Sequence, residues 1–345
     1  LFRNSSADHP LRFLVAYTLP SGAPTFEIDE PRVGLKPGAK SIVIERDALY
    51  PETVEADARA RRLLVSSVRE GAVYAVGLDG SSKPLVRDDR LISVLGIAVD
   101  PHTNRLWVTN SDLGVGLRRS AQGPKKLAAV GSYDLSSGRA LQYTDLASLV
   151  PGDHLINGIT VDADGNAYAT DSFAPAIYRV EPSGHASVFL RNDEFRGPGI
   201  NLNGIVYHPK GFLLAVKKSD GALYRIPLAD PRHFSRIHVP ATFVGGDGVL
   251  LAGPEHLIVI ANRTPGFTSN AAFVLQSKDD WASAEVTDSK PLGDGYPTTC
   301  TALDGNLYLL SSHLDEWISS TDAARSALLS HARHGELRAL GRIVP

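Results

Sequence analysis

Methionine does not occur in the 345 residues, and cysteine occurs once, at Cys300. A lone cysteine excludes an internal disulfide, so the fold must rest on its core. The flank PTTCTALDG looks like a buried strand, and Cys300 is read there as a small core residue rather than a nucleophile. Position 1 is leucine, so the chain is read as starting after processing or trimming. No apolar run approaches the ~20 residues that span a bilayer. A basic excess is missing too: 35 Lys and Arg stand against 38 Asp and Glu, a net charge of −3. That balance offers no basic stripe to nucleic acid or to an anionic membrane, and neither is expected as a partner. A small-molecule substrate is expected instead. Two sequons, Asn4-Ser5-Ser6 and Asn262-Arg263-Thr264, lean towards a secreted or periplasmic chain.

What is present is repetition. ETVEADARARRLLVSS (52–67), LGIAVDPHTNRLWVTN (95–110), NGITVDADGNAYATD (157–171), NGIVYHPKGFLLAVK (203–217), DGVLLAGPEHLIVIAN (247–262) and TTCTALDGNLYLLSS (298–312) share one plan. Each is an apolar or alternating run, a turn of Asp, Pro, Gly or Asn, and a second run, as a hairpin requires. Several are followed by a third strand-like piece, such as GAVYAVGLDG (71–80) or PAIYRVEPSG (175–184). The repeats start 43, 62, 46, 44 and 51 residues apart. A period of roughly 40–50 residues with about four strands per unit predicts a β-propeller. The fold class is therefore all-β, a six-bladed β-propeller, with residues 1–345 read as one domain. LRFLVAYTLP near the N-terminus is expected to supply a strand that closes the last blade. GLRRSAQGPKKLA (116–128) reads as an exposed loop whose basic residues are solvated, and the tail as one helix (about 319–333) before a closing strand. A parallel α/β fold would need amphipathic helices between strands, and these are missing.

In a propeller the innermost strands line a central channel, so one repeat position forms a ring around the axis. The first repeat residues give Glu52, Leu95, Asn157, Asn203, Asp247 and Thr298. Singly, Asn-Gly and Asp-Gly are tight-turn pairs. Glu52 shares the register and is not a turn residue. The alternative is side-chain oxygens converging on one point. Carboxylates gathered in a buried channel repel one another unless a cation joins them. Oxygen-only donors with no His or Cys favour Ca²⁺ over zinc. Glu52, Asn157, Asn203 and Asp247 are the expected metal ligands, and Asn157 is read as making a turn and holding the ion too. Asp162-Ala163-Asp164-Gly165 has the look of a calcium loop but lacks its downstream glutamate, and is read as a hairpin turn.

The order Glu, Asn, Asn, Asp on inner strands, within YPETVEAD, INGITVDADGNAYATDS, LNGIVYHPKG and the Asp247 repeat, resembles the calcium-dependent propeller hydrolases. These are the senescence-marker protein/gluconolactonase/regucalcin family, with paraoxonase and diisopropyl fluorophosphatase as relatives. The likeness runs over roughly residues 41–315. Two positions depart from the family pattern: its Glu-Gly-Pro is here Glu52-Thr53-Val54, and the second blade offers Leu95-Gly96. The resemblance implies a calcium-dependent hydrolase, a lactonase above all, acting on a sugar lactone, another small lactone or an ester.

The ends of the second strands are expected to flank the ion: Ser67, Asn110, Asp171, Lys217, Asn262 and Ser312, with His313 next. An Asn262 in the pocket is not open to glycosylation. Asp247, His313 and Asp171 are the catalytic candidates. Asp247 is a general base or a nucleophile, His313 a proton carrier, and His154 a further candidate at the pocket mouth. Lys217 or Lys218 is suited to an anionic substrate group. Two other readings share the blade pattern: a metal-independent enzyme similar to strictosidine synthase, and a non-enzymatic binding propeller with a structural calcium.

Overall fold

The computed structural model describes residues 41–100, 102–321, 324–325, 328–329 and 334–342. Each repeat folds as an antiparallel hairpin extended by two more strands, giving six four-stranded sheets around a common axis. The inner strands are Val54–Asp57, Ser93–Asp100, Ile156–Val161, Leu202–His208, Gly246–Leu251 and Pro297–Leu303. Each touches the inner strands of both neighbouring blades, and the last touches the first, so the ring is closed. Asp162–Gly165 is the hairpin turn read from the sequence: Asp162 Oδ1 accepts from the Asp164 and Asn166 amides, each at 2.9 Å.

Alternation along the strands decides where the core lies. Six apolar clusters form, each shared by two adjacent blades. Cys300 lies in the cluster between blades five and six, and burial pushes its thiol up, which suits a core residue.

Blade six is built from both ends of the described chain. Pro297–Leu303, Asn306–Ser311 and His334–Arg342 are completed by Ile42–Asp47 as the outer strand. LRFLVAYTLP lies outside the described residues, and Ile42–Asp47 holds the position expected for it. Two further expectations are corrected. Helix α1 (Leu314–Ser319) begins directly after the second strand of blade six, earlier than the sequence suggested, with residues 324–325 and 328–329 helical beyond it. The 116–128 insertion is not simply solvated. Arg118 reaches the carbonyls of Glu70, Gly71 and Leu91, at 2.6–3.2 Å, and Val115 accepts from Trp317 Nε1 at 3.0 Å. Val115 joins Tyr50, Val68, Leu95, Leu155, Tyr296, Leu314 and Trp317 in a seventh apolar cluster, on the face where the inner strands begin.

Candidate axial site

Asn157-Gly158 is not a turn. It lies inside the inner strand of blade three, at a β-bulge between Ile156 and Ile159. Equivalent register shifts fall at Leu95-Gly96, Asn203-Gly204, Asp247-Gly248 and Thr298-Thr299. A bulge inserts an extra residue and re-aims its side chain, a recurrent device beside functional sites. The glycines serve close approach. A Cβ on Gly96 would lie 2.2 Å from the Asn157 carbonyl oxygen, on Gly158 2.4 Å from that of Asn203, and on Gly204 2.3 Å from that of Asp247. Second-strand threonines fix the same joints. Thr170 Oγ1 accepts from the Gly158 amide at 3.0 Å and donates to the Asn203 carbonyl at 2.7 Å. Thr109 does the same between Gly96 and Asn157. Asn157 and Asn203 are thus each held by the blade before them.

The four expected ligands come together. Glu52, Asn157, Asn203 and Asp247 line one end of an axial channel of about 180 Å³, and all are buried. Asn203 Nδ2 donates to Asp247 Oδ1 at 2.6 Å, and Thr53 Oγ1 donates to Glu52 Oε2 at 2.6 Å. Burial, then the charge of Asp247, pushes the Glu52 carboxyl up to about 8. Asn157 Nδ2 donates to Ser172 Oγ at 3.1 Å, while its Oδ1 is buried and has no partner among the described residues. Thr298 Oγ1, in the same ring, is in the same state. Two crowded carboxyl groups and orphaned buried oxygens are the donor chemistry of a hard divalent cation.

One group was underweighted by the sequence reading. Lys218 is 3% exposed, and its Nζ donates to Asp247 Oδ2 at 2.8 Å and to Asn262 Oδ1. Asn262 Nδ2 donates to Asp247 and to the Pro297 carbonyl, so this sequon asparagine is committed to the site. Burial would depress the Lys218 ammonium, but the charge of Asp247, the Tyr296 phenol and Glu52 more than offset it and hold it up. Tyr296 stands beside Lys218, with Arg263 5.7 Å from its ring, and Arg263 pairs with Asp315 at 2.7 Å. Sequence reasoning missed Tyr296. The signal was its place immediately before an inner strand, where Tyr50 stands two residues before Glu52.

The second-strand ends divide into two sets. Asp171 pairs across from Ile156, as Lys217 does from Leu202 and Asn110 from Val94. These residues cap loops. Asp171 Oδ1 accepts from the amides of Leu155, Phe173 and Ala174, each at 3.0 Å, and Oδ2 meets His154 Nδ1 at 2.7 Å. Asn110 binds the Ile92 and Ser93 amides, Ser67 donates to the Leu49 carbonyl, and Lys217 pairs with Asp220 at 3.0 Å. Among the residues one position further, Ser172, Lys218 and Asn262 bond ring residues, while their counterparts Ser111 and Ser312 bond the backbone of Ile156 and Tyr296. Asp171 is therefore not brought to the four ligands; it orders the loop before Asn157 and holds His154. His313, at φ 51° and part-exposed, heads helix α1 with Nδ1 3.4 Å from Glu316.

No family model matches this sequence, and no curated protein does. Solved structures do. The major allergen Mala s 1 of Malassezia sympodialis superposes with a TM-score of 0.69 at 16% identity, over 89% of this chain and 97% of that one. A calcium-binding regucalcin from Agrobacterium tumefaciens gives 0.60 at 15% identity, over 91% and 99%. A luciferin-regenerating enzyme gives 0.56 at 14%, over 89% and 99%. At these identities the likeness is one of fold; of these three structures one is named as an enzyme and one as a calcium-binding protein.

Proposed function

We propose that the axial site is that of a small-molecule hydrolase, dependent on a calcium ion held by Glu52, Asn157, Asn203 and Asp247, with lactones and carboxylic esters as substrates. The observation that supports it most is the buried ring itself: two carboxyl groups in one channel end, beside carboxamides, with Asn157 Oδ1 and Thr298 Oγ1 unpartnered among the described residues. A bound calcium would polarise the substrate carbonyl and balance the charge that develops on its oxygen. The chain's own groups do the rest. Asp247 is positioned by Asn203 and Asn262, and takes the proton of the attacking water or attacks the carbonyl itself. Lys218 and Arg263 are cations suited to the carboxylate that hydrolysis releases.

Elemental analysis of the purified protein, beside Asp247→Ala, is the first test. About one calcium per chain in the wild type, lost in the variant together with hydrolysis of phenyl acetate and γ- and δ-lactones, is the expected result. A wild type that hydrolyses none of them and takes up no calcium when it is supplied would end this reading. His313→Gln then asks whether the histidine moves protons: the low-pH limb of the rate profile shifts if it does, with calcium content unchanged.

A further inference from the structure

The proposed ion site already contains a positive charge. Both carboxylate oxygens of Asp247 already accept hydrogen bonds: Oδ1 receives Asn203 Nδ2 at 2.6 Å, and Oδ2 receives Lys218 Nζ at 2.8 Å and Asn262 Nδ2. With the ammonium in place, Glu52 and Asp247 together with Lys218 carry at most one net negative charge; without it the two carboxyl groups carry at most two. The corresponding positions in the other blades are Val68, Ser111, Ser172, Asn262 and Ser312, none of them ionisable. Blade four alone aims a charge at the axis from this position. The lysine side chain is 4% exposed, so its head group does not retreat to solvent without a rearrangement. It does have a nearer refuge, because Nζ also bonds Asn262 Oδ1 and lies 5.5 Å from the centre of the Tyr296 ring.

We propose that Lys218 is the resident cation of the axial site, and that a calcium ion enters only by displacing its ammonium from Asp247 towards Asn262 and Tyr296. This rests on the reading of the ring as a cation site and specifies how that site is regulated. In the empty site the ammonium compensates the buried carboxylate of Asp247, and the ion must outcompete the lysine. Calcium affinity is weakened accordingly, and the displaced ammonium is delivered to the Tyr296 side of the pocket whenever the ion is bound.

The test is a calorimetric titration with calcium chloride of chelator-treated wild type, Lys218→Met, and the double variant Lys218→Met, Asp247→Asn. Lys218→Met is expected to bind one ion at least about tenfold more tightly than the wild type, and the double variant to lose binding. Equal affinity in wild type and Lys218→Met overturns the competition while leaving the ion site standing. A folded Lys218→Met that binds no calcium overturns both. If Lys218→Met does not fold in the absence of the ion, ¹⁵N-lysine spectra of the wild type decide. A buried ammonium resonance that shifts as calcium binds supports the displacement, and one that stays put while calcium binds overturns it.

Discussion

At the scale of single residues, the channel holds one more carboxyl that the proposed chemistry does not use. Glu55 lines the channel three residues beyond Glu52. The same register position in the other blades carries Ala98, Thr160, Val206, Leu250 and Thr301, so Glu55 stands without a like-charged neighbour in its tier. Burial pushes its carboxyl up to about 8. The folded state therefore holds this proton more tightly than the unfolded chain does. The resulting stability is fully present below the unfolded value of about 4.5 and is lost as pH rises to about 8. Glu55→Gln should flatten that decline and be the more stable protein at pH 8, by about 1 kcal/mol or more, since water in the channel screens part of the full shift. Urea unfolding at pH 5 and pH 8 measures it. Parallel losses in both proteins would show that Glu55 is not the group responsible.

At the scale of elements, the bulge is the device that turns a strand residue towards the axis, where the proposed ligands stand. Its demand falls on the glycines. Gly158→Ala would place a methyl 2.4 Å from the Asn203 carbonyl oxygen, a backbone atom that Thr170 also holds. We expect a loss of about 2–4 kcal/mol in thermal or urea unfolding, together with weaker calcium binding, because Asn203 must shift. A variant as stable as the wild type would mean that the joint is slack. These joints also mark what the sequence made legible. The six hairpins were visible because apolar runs and turn residues recur at a near-constant spacing. The Glu52 register pointed to the axis because glutamate has no reason to be in a turn. The bulge was hidden, since Asn-Gly is equally the signature of a hairpin, and only the inter-strand approach separates the two uses of glycine. The second-strand set slipped by one residue in part of the molecule. In blades five and six the expected positions, Asn262 and Ser312, lie one residue beyond the counterparts of Asp171, which are Ala261 and Ser311. A slip of one residue changes the face, and that is the difference between Asp171 capping a loop and Lys218 reaching the ring.

At the scale of the whole molecule, the site exists only if the ring closes. Glu52 comes from blade one and Asp247 from blade five, with blade six between them. That blade is stitched from Ile42–Asp47 and the C-terminal strands, with Ile42 opposite Leu337. Ile44 is fully buried, in the cluster that joins blade six to blade one through Val54, Leu63, Tyr74, Leu310 and Leu337. The cluster joins the seam to Val54, two residues from Glu52, so damage to the seam should be felt at the axis. Ile44→Ala removes buried methyl and methylene groups at a position that cannot collapse without parting the seam, and should cost about 2–5 kcal/mol. Because each blade packs on both neighbours, the loss should move one cooperative unfolding transition rather than create an early partial one. It should also weaken calcium binding, although Ile44 is not among the residues lining the axial channel. Calorimetric unfolding with and without calcium tests both parts. A separate low-temperature transition, with calcium binding unchanged, would mean that blade six opens independently of the ring and that closure is not what sets the distance between Glu52 and Asp247.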